Sequence, residues 1–460
     1  MKKVLMCMTI LMLLIAASAC SSNISNDIDG SYVQNEQSDS INNSLDSQES
    51  TDAYANDDQP SQAIASDGRK IITIATDFYT LEEEVNEFNL SNNDYIIEVK
   101  QYDLNSAEQL YSEISDGIIP DIFCFGPGLM DSAFNASRFA ASGILTDLYE
   151  LLDSDDTLSR ESFHSQILSL AEKNGAIYEL PATFYLITLS GDSEIIGSLG
   201  DEWTIDNLEE LMESRPSVKY PFGPNVTSFE VLQHLLAVAY DDLIDWKNGT
   251  VDSQLLDQIF RMAEMQPLDS LSVSQQGIIS DGKQLFHTSI VPRASMLQQT
   301  YGYLGTDNIS FAGFPSEIGA GNAVIYNLSF SISEACENKD TAWDFIKQFY
   351  ADDRITVSFP VNSAALDKRL EAASEYESSF AGTLTLNEGD VRYSIAIGEP
   401  TDTDVDRIYE LLENIRSIYR LDSVLSDVVN SKNAEYSKGI LSGDKVFGAI
   451  QQEINSYVNS

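Results

Sequence analysis

Two periods of apolar and polar residues outline the elements of this chain. Ile71–Ala75 is a short β-branched run and predicts a strand. From Leu81 to Leu90, apolar Leu81, Val85 and Phe88 recur at helical spacing. Tyr95–Val99 predicts a second strand, and Ala107, Leu110, Tyr111 and Ile114 mark a second helix. A third strand, Pro120–Phe125, is cut off by Gly126-Pro-Gly128. This alternation predicts a parallel sheet covered by helices. Ligands then sit beyond the carboxyl ends of the strands, here Thr76–Tyr79 and Phe125–Gly128. Further on, amphipathic helices are predicted at Ile205–Met212, Phe229–Ala239, Leu255–Met265, Thr341–Tyr350 and Val405–Ile418. No period of 20–50 residues recurs, which sets solenoids and propellers aside.

The amino end has a different pattern. Lys2 and Lys3 precede Val4–Ala17, a run almost wholly apolar and too short to span a bilayer comfortably. These are the charged and apolar regions of a secretory signal. Ala17-Ser-Ala-Cys20 resembles the lipobox of bacterial lipoproteins, although Ala17 stands where Leu is usual. That resemblance implies cleavage of residues 1–19 and lipidation (palmitate) of Cys20; cleavage without a lipid is the alternative. Ser21–Gly68 carries ten carboxylates and no Lys or Arg. Such a segment cannot bury enough apolar surface to fold, so 20–69 is expected to be a lipid anchor and a disordered tether reaching about 40 Å.

Composition narrows the function. In 460 residues, 26 Lys and Arg face 73 Asp and Glu, a net charge of −47. Clustered cations are what nucleic acids and anionic membranes demand, so nucleic-acid binding is excluded. The chain lacks G-x-S-x-G, H-E-x-x-H, C-x-x-C, G-x-x-x-x-G-K and G-x-G-x-x-G. Its three His are scattered, and no metal or other cofactor is expected. Asp402, Asp404, Asp406 and Glu413 sit at EF-hand positions, but Arg407 occupies the turn position that needs Gly. The segment is expected to be a helix start, its acids favoured by the macrodipole. Asp153-Ser-Asp155-Asp156 is expected to be a solvated helix end. Cys124 and Cys336 are the only cysteines beyond the tether, and Cys124 lies in an apolar strand where a buried free thiol is common.

Several local patterns then recur in a family-like order. They are Pro120-Asp-Ile-Phe, Gly143-Ile-Leu-Thr-Asp-Leu148, Gly175-Ala-Ile-Tyr-Glu-Leu-Pro181, and Trp203-Thr204 with Asn207-Leu208. Asp245-Trp246-x-x-Gly249, Gly313-Phe-Pro315, Ala342-Trp-Asp-Phe-Ile-Lys347, and Gly443-Asp444 with Ile450-Gln451 and Tyr457 follow. From about Lys70 onward the chain resembles extracellular solute-binding proteins of family 1, the lipoprotein receptors of ABC transporters, typically for carbohydrates, in Gram-positive bacteria. Two departures stand out. Glu179 occupies a place that is usually small or apolar, and no aromatic cluster near Phe222–Asn225 matches a sugar platform.

The resemblance implies an α/β, two-lobed periplasmic-binding-protein-like fold (type II, maltodextrin-binding-like) with a hinge and an interlobe cleft. The N-lobe would hold 70–183 with 315–357, and the C-lobe 186–312 with 361–460. Crossings are expected near Thr183–Tyr185, Gly313–Pro315 and Phe359–Asn362. Sugars offer apolar faces and hydroxyl edges, so aromatics and polar groups are the candidates. They are Asp77, Phe78, Tyr79, Phe125, Tyr185, Tyr326 and Asn327, with Asn225 and Arg293 from loops of the second lobe. Tyr326 and Asn327 are expected to precede a strand, Ser329–Ser333. Trp203, Trp246 and Trp343 are read as structural. The implied protein is a monomeric, non-enzymatic receptor on the extracellular face of the cell membrane. It would pass a neutral solute, expected to be an oligosaccharide, to ABC permease transmembrane subunits. A peptide or a cation such as a polyamine is an alternative solute. A surface carbohydrate-active enzyme or an adhesin is a different class of reading.

Overall fold

The computed structural model describes residues 64–77, 81–102, 107–126, 135–200, 202–271, 279, 282–319, 321–351, 358–388 and 391–459. The expected signal peptide, Cys20, most of the tether, and Phe78 and Tyr79 lie outside them. Among the described residues, no helix is long and apolar enough to cross a membrane.

The architecture is mixed α/β. Its main sheet has nine strands: β1 (Lys70–Thr76), β2 (Tyr95–Gln101), β3 (Ile122–Phe125), β4 (Leu180–Asp192), β5 (His287–Val291), β6 (Ile309–Phe311), β7 (Asn322–Ile332), β8 (Phe359–Pro360) and β9 (Ile415–Ile418). The central path is β6-β4-β7-β3-β1-β2, with β5 and β8 also paired to β4 and β9 to β7. Both faces are buried. Ile122 and Cys124 enter one apolar cluster, while Phe123 and Phe125 enter another, the alternation expected of a pleated strand.

The first three strands and their helices, Glu82–Ser91 and Ala107–Ser115, follow the expected order, and β1 pairs parallel with β2 and β3. The sheet as a whole is not parallel. β7 runs antiparallel to both β3 and β4, because these long strands pass back and forth through the sheet instead of following a crossover helix. β4 alone spans 13 residues, all but the last buried. β7 begins at Asn322, so Tyr326 and Asn327 lie inside a strand and do not precede one.

The expected helix Val405–Ile418 is also divided. Thr401 caps a helix over Asp402–Glu413 in a capping box with Asp404, and Asn414 ends it. Ile415–Ile418 then becomes β9, parallel to β7. Ladder bonds to β7 and the burial of Ile415 and Ile418 outweigh helical continuation. Two glycines explain a tight return nearby, where Phe314 bridges Gly321. A Cβ on Gly313 (φ +65°) would lie 2.7 Å from the carbonyl carbon of Gly321, so only glycine fits.

Other expectations meet local corrections. Asp155 is not solvated: its side chain is 4% exposed and accepts from Trp343 Nε1 at 2.9 Å. Trp203 stacks on Phe286 and donates to the Ala312 carbonyl, a structural role. Cys124 and Cys336 are buried free thiols.

Candidate functional site

A cavity of about 60 Å³ opens where segments far apart in sequence converge. β3 supplies Phe125, with Gly126 just after it, and the start of the helix Ala136–Ala141 supplies Asn135. Tyr111 comes from the helix Ala107–Ser115. Glu179 precedes β4, and Tyr326 and Ser329 lie on β7. The loop after β9 supplies Arg420 and Asp422, and Tyr240 comes from the helix Ser228–Leu243.

One side of the cavity is an ionic cluster. Arg420 Nη1 donates to Glu179 Oε2 at 2.6 Å, and its Nε to Asp241 Oδ2 at 3.1 Å. Lys173 reaches Asp241 at 3.3 Å. Ser329 Oγ donates to Glu179 Oε1 at 2.6 Å. Burial alone would lower the Arg420 pKa, but Asp241 and Glu179 outweigh it and hold the pKa well above the ordinary value. Burial likewise pushes the Asp241 carboxyl up, and Arg420 and Lys173 more than reverse this. Two carboxylates and two cations leave this cluster with no net charge.

A second part of the lining is aromatic and centred on Asp422. Its Oδ2 accepts from Asn135 Nδ2 at 2.8 Å, Tyr240 OH at 2.9 Å and Tyr457 OH at 3.2 Å. Its Oδ1 accepts the Val424 and Leu425 backbone N–H groups, capping the helix Ser423–Ser437. Trp246 Nε1 donates to Tyr240 OH. The Arg138 guanidinium lies 5.5–5.8 Å from the rings of Trp246, Tyr111 and Tyr457, within cation–π range.

Tyr326 closes the floor. Its hydroxyl is buried and has no partner, and Arg420 lies 5.5 Å above its ring. Burial raises its pKa far above the ordinary value, so it remains a donor. Burial, with the nearby Asp422 charge, also lifts Tyr111 to about 12.

The candidates read from sequence divide. Phe125 and Tyr326 line the cavity. Asp77 is not among the lining residues, but it accepts the N–H of Gly126, which is, at 2.6 Å. Burial raises its pKa to about 6 against the hydrogen bond. Tyr185 is directed away. Phe184 pairs with Tyr326, whereas Tyr185 pairs with Ile325, and adjacent strand residues face opposite sides. There it is 5% exposed and neighbours Arg293, which reduces a rise to about 12 imposed by burial. Arg293, itself 5% exposed, packs on Phe380. Asn327 donates to Thr183 and Ser358. Neither Asn327 nor Asn225 is among the lining residues.

Tyr111, Asn135, Glu179, Tyr240, Arg420 and Asp422 were not candidates. Glu179 alone had left a signal, as a carboxylate where the resembling family keeps a small or apolar residue. The others have no motif, since tertiary contact alone unites them. Among the described residues no group of His, Cys, Asp and Glu could hold a metal.

No protein-family model matches the sequence, and no curated protein matches it. Solved structures do show a likeness. An ABC substrate-binding protein from Listeria monocytogenes in complex with cycloalternan aligns at TM-score 0.47 and 15% identity, over 84% of this chain and 98% of that one. An extracellular solute-binding protein family 1 member from Alicyclobacillus acidocaldarius gives 0.47 and 13%, over 85% and 99%. The sugar-binding protein MalE of Xanthomonas citri gives 0.48 and 14%, over 85% and 97%. The chain is thus similar to solved proteins of the kind its motifs resemble, at identities from which no residue role is transferred.

Proposed function

We propose that this chain is a solute-binding receptor of an ABC import system. It captures a neutral solute, a saccharide, between two lobes. The observation that carries this reading is the chemistry of the cavity. Glu179 and Asp241 are paired with Arg420 and Lys173, and Asp422 is held by neutral donors, while the Tyr111 and Tyr326 hydroxyls and Arg420 Nη2 have no hydrogen bond among the described residues. Donors beside aromatic rings suit the oxygens and apolar faces of a sugar. A polyamine would need free carboxylates, and Glu179 and Asp422 are engaged.

In this reading the lobes are 70–183 with 315–357 and 186–312 with 361–460, and they part to admit the solute. A cavity of about 60 Å³ has room for roughly four or five waters, so a sugar ring requires the walls to separate. Asn135 to Tyr240, Ser137 to Asp241, and Glu179 to Arg420 are the bonds that opening would break. The chain binds and hands over, with no chemistry of its own. Residues 20–69 tether it to a lipid on Cys20 at the outer face of the membrane, beside the permease.

The test is a thermal-shift and calorimetric screen of saccharides, peptides and polyamines. A ligand that binds only the folded state raises the melting temperature. A saccharide is expected to do so and to lose about tenfold in affinity on Tyr326→Phe. A response confined to polyamines or peptides would sink the saccharide assignment. Release of Cys20→Ala to the medium, with the parent retained on the membrane, tests the anchor separately.

A further inference from the structure

A second buried ionic cluster lies on the Tyr185 side of β4, and its charges do not balance. Arg293 is 5% exposed, Arg369 6% and Glu377 0%. Arg369 Nη2 lies 3.3 Å from Glu377 Oε1. The same carboxylate accepts the Ser295 N–H at 2.6 Å and the Ala294 N–H at 3.3 Å. It therefore caps the helix Ser295–Leu304 while serving as the anionic partner of the cluster. Arg293 spends Nε on Ser295 Oγ at 3.2 Å, and its guanidinium lies 3.9 Å from the Phe380 ring.

Several donors remain. Arg369 Nη1 is buried with no hydrogen-bond partner. The terminal nitrogens of Arg293 donate to none of the described residues. Two guanidiniums, which do not deprotonate in proteins, thus have one carboxylate near them among the described residues: Glu377 is paired with Arg369 and bonded to the backbone beside Arg293. Burial lowers the pKa of both arginines; Glu377 opposes this for each, and Arg369 adds to it for Arg293. A buried charge without a counter-charge is strongly unfavourable. Among the described residues the cluster holds one positive charge too many, together with hydrogen-bond donors suited to an anion.

We propose that Arg293 and Arg369 form a buried site for one small monovalent anion, chloride or a compact carboxylate, held against Arg369 Nη1. The anion balances the second guanidinium as Glu377 balances the first. It ties together the helices Ser295–Leu304, Ser363–Glu371 and Ala373–Glu377. The inference is independent of the solute cavity.

The experiment is urea unfolding of the mature chain at constant ionic strength, with sodium chloride or sodium acetate replacing the bulky MES salt. The unfolding equilibrium constant should fall with anion concentration, tenfold at about nine times the dissociation constant. Arg369→Gln should abolish this dependence. Glu377→Gln, which keeps both guanidiniums, should enlarge it. Should Arg369→Gln fail to fold, the Glu377→Gln comparison still decides. A response to chloride alone or to acetate alone identifies the anion. No response to either, an equal response in Arg369→Gln, or an unchanged one in Glu377→Gln overturns the proposal. Where chloride gives the response, a bromide-soaked crystal should place an anomalous peak at Arg369 Nη1, and its absence there would count equally against the site.

Discussion

Two ionic clusters, one partly exposed and one buried, lie on different sides of β4. At the cavity, Arg420 and Lys173 meet Glu179 and Asp241. Beyond Tyr185, Arg293 and Arg369 have Glu377 as their one neighbouring carboxylate among the described residues, paired with Arg369. The first balances, and the groups left over are hydroxyls and one guanidinium edge, which suit a neutral oxygen-rich molecule. The second carries an excess positive charge, which calls for an anion. In each case the sign and number of the unengaged groups, and not the presence of charge, point to what is missing.

The clusters should also fail differently. Glu377→Ala leaves two buried guanidiniums and an uncapped helix, and should cost about 3–5 kcal/mol by urea unfolding. Arginine does not deprotonate, so acid gives no relief. Arg420→Ala leaves Glu179 and Asp241 without their shared partner and should cost a similar amount, about 3–5 kcal/mol at pH 7. Burial raises the Asp241 carboxyl and Arg420 is the largest cause opposing it, so in the variant Asp241 is expected to take up a proton more readily and the deficit to shrink as pH falls toward 4. Equal pH profiles for the two variants would break the comparison. In the parent the sign is opposite: Asp241 is held below its ordinary value, so its contribution is present above about pH 4 and lost as pH falls further.

Asp77 extends the series to a carboxyl with no cation. Its folded pKa is about 6 against an ordinary 3.8. The folded state therefore binds the proton more tightly, and stability falls as pH rises from about 4 to 6. Asp77→Asn should raise stability by about 3 kcal/mol at pH 7.5 and leave it unchanged at pH 4. The neutral amide can still accept the Gly126 N–H. A destabilised Asn variant at pH 7.5 would show that the charged form is the one the fold favours.

Tyr326→Phe separates binding from folding. Its hydroxyl is buried without a partner, so its removal should change stability by less than about 1 kcal/mol. Solute affinity should fall about tenfold. A large stability loss with unchanged affinity would take Tyr326 out of the site. Lys173→Ala should do least, below about 0.5 kcal/mol, because its side chain is 45% exposed and an exposed partner contributes little.

Much of the fold was legible in the chain. The β1–β3 unit was readable because strands buried on both faces read as apolar runs and helices as 3.6-residue stripes. The boundaries that moved are those where a partner strand decides. Ile415–Ile418 continues a helical stripe in sequence, yet it pairs with β7. The site was far less legible. Phe125 and Tyr326 could be chosen as aromatics at strand positions, but Tyr185 could not be told from Phe184 until the register was known. A shift of one residue sends a side chain to the other face.

The sequence by itself determined the kinds of element, their order, the acidic surface and the family likeness, because these rest on local periodicity, composition and motif order. Only the tertiary structure decided that Glu179 meets Arg420 across 241 positions, and that Arg369 meets Glu377 beside Arg293. Charge pairing in a protein interior depends on distances between groups remote in the chain. Residue type fixes which sign each group carries, and the packing of strands and helices fixes which signs meet.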